Sequence, residues 1–251
     1  MGAPLLELDG VTKKFGELVA VDDVTWGIDR DGLTALIGPN GAGKTTLYNL
    51  ITGRLAPTSG HIRFDGRDVT NESPADRAHR GIGRSFQVTN IFEGLTVREN
   101  IRAPVIARSE HRWNPLGRAS AAGGVAEETE RVLDLVGLED IAELVCTELS
   151  YGDKRRVEIG IVLATDPHLV LLDEPTAGMN PTETERMVDL VRRLDGETDM
   201  SFFVTEHDID IIFSIADRIL VLDRGRVIAD GTPEEIRRDE RVQRAYLGGG
   251  V

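Results

Sequence analysis

The 251 residues include a single cysteine, Cys146. One thiol excludes an internal disulfide and fits a reducing cytoplasm. Apolar runs are short. None approaches roughly eighteen consecutive residues, so no segment reads as a membrane-spanning helix. The opening "MGAPLLELDG" lacks a charged start followed by a long apolar stretch, and no secretory signal is read there. Lysine is scarce: Lys13, Lys14, Lys44 and Lys154 are the only four among 29 basic residues, against 43 acidic ones and a net charge of -14. Such a surface repels nucleic acid and anionic lipid. It points to a salt-rich cytoplasm, where salt screens carboxylate repulsion; the alternative is an ordinary acidic protein of a GC-rich genome that favours arginine over lysine. Both origins stay open on the sequence. What is present is a 40% apolar chain, long enough for one domain or two closely joined ones.

The patterning then divides the chain. "LLELDGV" and "LVAVDDVTWGI" alternate like antiparallel strands. "LTALIG", from Leu33, is a continuous apolar run ending in glycine, the mark of a strand buried on both faces, and a helix is expected from Lys44 to about Thr52. "GHIRFDGRDV" reads as a hairpin turning at Asp65-Gly66. "VREN", "EETERVLDLVGL" and "KRRVEIGIVLA" have helical spacing, while "RSEHRWNPLGRASAAGG" reads as a surface loop. "HLVLLD", "SFFVTEH" and "RILVLD" are strands, and "RVIADG" is a last hairpin arm. Between them "PTETERMVDLVRRL" is a helix with Asn180 as N-cap and Pro181 at its first position. Strand-helix alternation implies an α/β fold with a largely parallel, helix-covered sheet.

Two motifs carry chemistry. "GPNGAGKTT" fits Gly-x-x-x-x-Gly-Lys-Thr: Gly38, Pro39, Asn40, Gly41, Ala42, Gly43, Lys44, Thr45 and Thr46. Glycines let the backbone curl so that N–H groups converge on phosphate oxygens, and the following helix offers its positive end. Lys44 reaches the terminal phosphates, and the Thr45 hydroxyl is placed to ligate magnesium. "LVLLDEP" ends a buried strand with Asp173 and Glu174. Ligands of open parallel sheets bind beyond such strand ends. Asp173 would hold magnesium, directly or through water, and Glu174 would act as general base; two solvated carboxylates at a strand end are the alternative.

The phosphate loop, "SFQ", "LSYGDKR", "LVLLDEP" and "TEH", in this order and spacing, resemble the ATP-binding subunit of ABC transporters over essentially the whole chain. The resemblance implies a P-loop NTPase-type core with an N-terminal antiparallel β subdomain and an inserted helical subdomain. Residues 1–87 and 166–251 would form the core and β subdomain, and 88–165 the helical insert, in one nucleotide-binding domain. It implies that Gln87 contacts magnesium or the attacking water, that His207 contacts the γ-phosphate and positions Glu174, and that Phe15 stacks on adenine. A core phenylalanine is the alternative for Phe15.

Ser150 and Asp153 have the spacing of a capping box that starts a helix. In the family this helix tip meets the ATP held by a second nucleotide domain, so Ser150, Tyr151, Gly152, Asp153 and Asn180 would act in trans. Tyr151 stands where the commonest signature has glycine, Asp153 where it has glutamine, and Asn180 where many relatives have aspartate. The implied cofactors are ATP and Mg2+. The implied partners are a second nucleotide-binding subunit, like or unlike, two integral membrane permeases and, indirectly, an extracellular solute-binding protein. That assembly would hold the chain at the cytoplasmic face of the cell membrane. Ile91, Phe92 and Leu95 either fill a groove for a permease helix or pack within the helical insert. "AGMNPTET", "GIGRSFQ" and "RVQRAYLG" resemble the branched-chain amino acid importers; a urea or short-chain amide importer and a soluble non-transport ATPase are the alternatives.

Overall fold

A computed structural model describes residues 3–85, 91–108 and 118–247. It begins with β1 (Leu6–Phe15) and β2 (Leu18–Ile28), paired antiparallel, and β3 (Gly32–Ile37), which runs into α1 (Lys44–Ile51). β4 (Ser59–Phe64) and β5 (Arg67–Asp68) form the expected hairpin. Asp65 and Gly66 at its turn have φ of 50° and 71°, the backbone a two-residue turn needs to match strand twist. α2 (Pro74–His79), β6 (Ile82–Arg84), α3 (Val97–Arg108), α4 (Arg118–Val136) and α5 (Tyr151–Leu163) follow. Strands and helices then alternate through β7 (Leu169–Asp173), α6 (Pro181–Glu197), β8 (Ser201–Thr205), α7 (Ile209–Ile215) and β9 (Arg218–Asp223). β10 (Arg226–Gly231), α8 (Pro233–Arg238) and α9 (Glu240–Leu247) complete the order.

The described strands form two sheets. The antiparallel one has the order β2-β1-β4-β5; the other runs β10-β9-β3-β8-β7-β6 and is parallel except where β10 turns back on β9. Its central strands β3, β7, β8 and β9 bury both faces, as their continuous apolar runs require. Ala35, Val170, Leu172, Phe202, Val204 and Val221 point into one core, which they share with Ile101, Val132 and Val157 of the helices between 97 and 163. Leu36, Leu171, Phe203 and Leu222, one residue out of phase, point into a second core beneath the antiparallel sheet and α1. The period of two thus sorts each strand between two hydrophobic layers.

One expectation fails. "RSEHRWNPLGRASAAGG" is not a loop throughout, because its last seven residues already belong to α4. Ala119, Ala121 and Ala122 are the strongest helix formers by propensity and precede the unfavourable Gly123 and Gly124. Residues 109–117 lie outside the described residues.

Candidate nucleotide-binding site

The phosphate loop joins the carboxyl end of β3 to α1. Gly43 caps the helix with φ 105°, and a Cβ there would lie 2.4 Å from the Ala20 carbonyl oxygen, so only glycine fits. No side chain caps this helix and no acidic residue occupies its first turn. Its N–H groups and positive end are therefore left for an anion. Lys44 Nζ donates to the carbonyl oxygens of Gly38 at 2.5 Å and Pro39 at 3.3 Å. Burial lowers the Lys44 pKa, against the opposing charges of Glu174 and Asp173. At the far end of α1 the buried Arg77 donates to the carbonyls of Leu50 and Ile51, at 2.6 and 2.7 Å. These are orphan acceptors of the last turn. Burial draws the Arg77 pKa down to about 10.

The carboxylates stand at the end of β7, separated from β3 by the single strand β8. Glu174 has φ 51°, a left-handed backbone uncommon outside glycine and frequent at functional sites. His207 Nε2 lies 2.8 Å from Glu174 Oε1. Asp173 is only 3% exposed. Its Oδ1 accepts from the Thr205 hydroxyl at 2.8 Å and its Oδ2 from Arg84 Nη2 at 2.8 Å. Parallel register puts Asp173 opposite Thr205, so that hydroxyl contact follows from strand alignment. Arg155 of α5 donates to the Asp173 carbonyl at 3.0 Å and ion-pairs with Glu158. The start of α5 is thereby tied to the strand end that carries Glu174. Glu206, also buried, accepts from the Thr176 N–H and hydroxyl, both at 2.8 Å. Burial raises the Glu206 pKa, opposed by those two bonds.

One cavity of about 610 Å³ gathers Phe15, Asn40 to Thr46, Glu174, His207 and Arg224. Phe15 is 45% exposed at the end of β1, which removes the alternative of a core phenylalanine. Thr45 is exposed at the start of α1. Its hydroxyl and the Asp173 carboxylate are hard oxygen donors, the kind that suit Mg2+ completed by phosphate oxygens and water. Gln87 lies outside the described residues.

The α5 tip faces elsewhere. Ser150 and Asp153 border a separate small pocket with Arg156, Glu183 and Arg186. Ser150 Oγ accepts from the Asp153 N–H at 3.1 Å, but the reciprocal half of the capping box is missing: the Asp153 carboxylate is held by the Ser150 hydroxyl and Arg156 instead. Gly152 has Glu183 against it, where a Cβ would come within 3.1 Å of a carboxylate oxygen. The Tyr151 ring lies beside Gly178 and stays half-exposed. Asn180 caps α6 as expected, with Glu183 completing a full capping box. Within one chain these residues do not reach the phosphate-loop cavity.

Sequence reasoning missed Arg84, Arg155, Thr205 and Glu206. The clearest signal was a charge ending the apolar strand "GIGR" and another inside the signature helix.

A phosphate loop on a parallel sheet, with an acidic strand end beside it, defines a P-loop nucleoside triphosphatase. Residues 21–177 match the family model described as ABC transporter, and residues 226–251 match one described as branched-chain amino acid ATP-binding cassette transporter. The chain is 37% identical to a high-affinity branched-chain amino acid transport ATP-binding protein, BraF, of Pseudomonas aeruginosa, over 99% of both chains. It is similar to the ADP conformation of MJ1267, an ATP-binding cassette of an ABC transporter, at 32% identity and TM-score 0.83 over 98% of this chain and all of that one. It is also similar to a dimeric post-hydrolysis structure of the cassette MJ0796 bound to ADP and Pi, at 27% identity and TM-score 0.75, over 91% of this chain and 98% of that one. The chain belongs to the ABC transporter family, and its chemistry is ATP hydrolysis.

Proposed function

We propose that this chain powers a branched-chain amino acid importer, as one of two nucleotide-binding subunits seated on two membrane permeases at the cytoplasmic face of the membrane. The observation that carries the catalytic reading is the Glu174–His207 contact of 2.8 Å on the wall of the phosphate-loop cavity. The name of the BraF relative and the match at residues 226–251 support the choice of solute. Among the described residues no helix is long and apolar enough to cross a membrane, so the permeases are separate chains in this reading. Phe92 and Leu95, both exposed, are the docking candidates for a permease helix, whereas Ile91 packs onto the core.

The residues divide the work. Phe15 stacks on adenine, and the N–H groups of residues 38–46 with Lys44 hold the β- and γ-phosphates. Thr45, Asp173 and Gln87 are the residues that would hold Mg2+, which when bound neutralises charge on the phosphate oxygens. Glu174 takes a proton from water as the water oxygen bonds to the γ-phosphorus. The bond from that phosphorus to the bridging oxygen breaks, and ADP leaves with the electron pair. His207 orients Glu174 and meets the γ-phosphate. Ser150, Tyr151, Gly152, Asp153 and Asn180 of a neighbouring nucleotide domain complete the site. Closure of the two domains would then move the permeases.

The reconstituted transporter tests this reading. ATP hydrolysis should rise with a leucine-loaded solute-binding protein, and Glu174→Gln should abolish steady turnover while ATP still binds. Stimulation by urea or a short-chain amide instead would overturn the solute, and near-normal turnover of the variant would remove Glu174 from the mechanism.

A further inference from the structure

Arg84 ends β6, three residues before Gln87, and is almost fully buried, with a side chain 9% exposed. A buried guanidinium needs several acceptors to offset its lost hydration. Arg84 has two close ones on different elements and a longer contact of 3.5 Å to the Thr52 hydroxyl at the end of α1, while its Nε has no partner among the described residues. Nη2 donates to Asp173 Oδ2 at 2.8 Å, at the end of β7, and Nη1 donates to Asn49 Oδ1 at 2.7 Å, on α1. The guanidinium also lies 5.6 Å from the centroid of the Tyr48 ring. The planar fork is thus clamped on three sides.

Asn49 is four residues beyond Thr45 in the same helix, so the two stand one turn apart on one face. Thr45 and Asp173 are the two proposed metal donors within the described residues. They sit on different elements, α1 and β7. A single rigid guanidinium spans those elements, holding Asn49 below one donor and the carboxylate of the other. Thr205 fixes the opposite oxygen of that carboxylate. Arginine alone makes this bridge, because a lysine ammonium is a point charge without a fork.

We propose that Arg84 is a positioning residue that sets the placement of Asp173 relative to the phosphate-loop helix, and through it the affinity of the nucleotide-loaded site for a divalent cation. This rests on the reading of Thr45 and Asp173 as metal donors. Partners that orient metal ligands through one intervening contact carry affinity without touching the ion. Electrostatics alone makes the opposite forecast, since a nearby positive charge repels the ion and its removal would tighten binding.

The test uses full-length protein carrying Glu174→Gln, to stop turnover, with Mn2+ binding followed by electron paramagnetic resonance in the presence of ATP. Arg84→Lys keeps the charge and loses the bridge. It should weaken Mn2+ binding by about tenfold or more, while ATP affinity measured in EDTA stays unchanged. Asn49→Ala, which removes the closer of the two ties to α1, should move Mn2+ affinity in the same direction and decides the matter if Arg84→Lys fails to fold. Unchanged or tighter Mn2+ binding in these variants overturns the proposal, as does an equal loss of metal-free ATP affinity. Asp173→Asn separates the two layers of the argument. If it leaves Mn2+ binding intact, the metal reading itself fails; if it weakens binding and the Arg84 and Asn49 variants do not, only the role of Arg84 fails.

Discussion

Glu206 stands beside His207 and differs from it in every physical respect. It is buried, it accepts two bonds from Thr176 on one oxygen, and its pKa is raised, chiefly by burial. A carboxyl with a raised folded pKa binds its proton more tightly in the native state. Its contribution to stability is therefore fully present below the unfolded value of 4.5 and is lost as pH rises through the folded value. Glu206→Gln keeps an oxygen acceptor for Thr176 and removes the titration. Relative to that variant, the native protein should gain thermal midpoint as pH falls from neutral toward 4.5. A midpoint difference that stays flat over this range would show that Glu206 is not titrating there. At this scale the sequence was legible wherever a motif fixes spacing along the chain, as with Lys44, Thr45, Asp173 and Glu174. Arg84 and Thr205 were not legible, because their contacts with Asp173 come from alignment between strands far apart in sequence. No spacing records that alignment.

The helix α1 illustrates the element scale. Its N-terminal end is left without a side-chain cap, while its C-terminal end is closed by a guanidinium arriving from α2. A buried arginine spending its donors on carbonyls keeps the phosphate helix from fraying at the end away from the nucleotide. Arg77→Met fills similar volume but leaves the Leu50 and Ile51 carbonyls without these donors. A loss on the order of 2–3 kcal/mol is expected in urea unfolding. A loss below about 0.5 kcal/mol would place Arg77 among ordinary surface residues and contradict the role. Helix caps were read well: Asn180 and Pro181 start α6 as the sequence indicated. The start of α4 was not, since glycine and serine mimic a loop when the supporting core is unseen. Nor were α2 and α7 to α9 anticipated. α2 and α7 span only six and seven residues, too short to show a helical period. The last helix, α9, nonetheless reaches the phosphate loop. Arg241, Arg244 and Ala245 of α9 line a cavity with Pro39 to Ala42 of the phosphate loop, and burial pushes the Tyr246 phenol up to about 12.

Across the whole molecule, the fold was the most legible part. Continuous apolar strands bounded by glycine and alternating with helices leave few alternatives to a parallel sheet buried on both faces. The site was half legible for a reason that is itself structural. The phosphate-loop cavity is lined by Glu174, His207 and the glycine-rich loop, but Ser150, Gly152 and Asp153 open away from it. In the proposed reading a neighbour, like or unlike, brings its helix tip to the triphosphate held by this chain's phosphate loop. The direct measurement is a structure of the assembled transporter carrying Glu174→Gln, loaded with ATP and Mg2+. The account predicts Ser150 Oγ within about 3 Å of a γ-phosphate oxygen bound to the neighbouring subunit's phosphate loop. A Ser150 remote from every γ-phosphate, in nucleotide-loaded and nucleotide-free states alike, would contradict it.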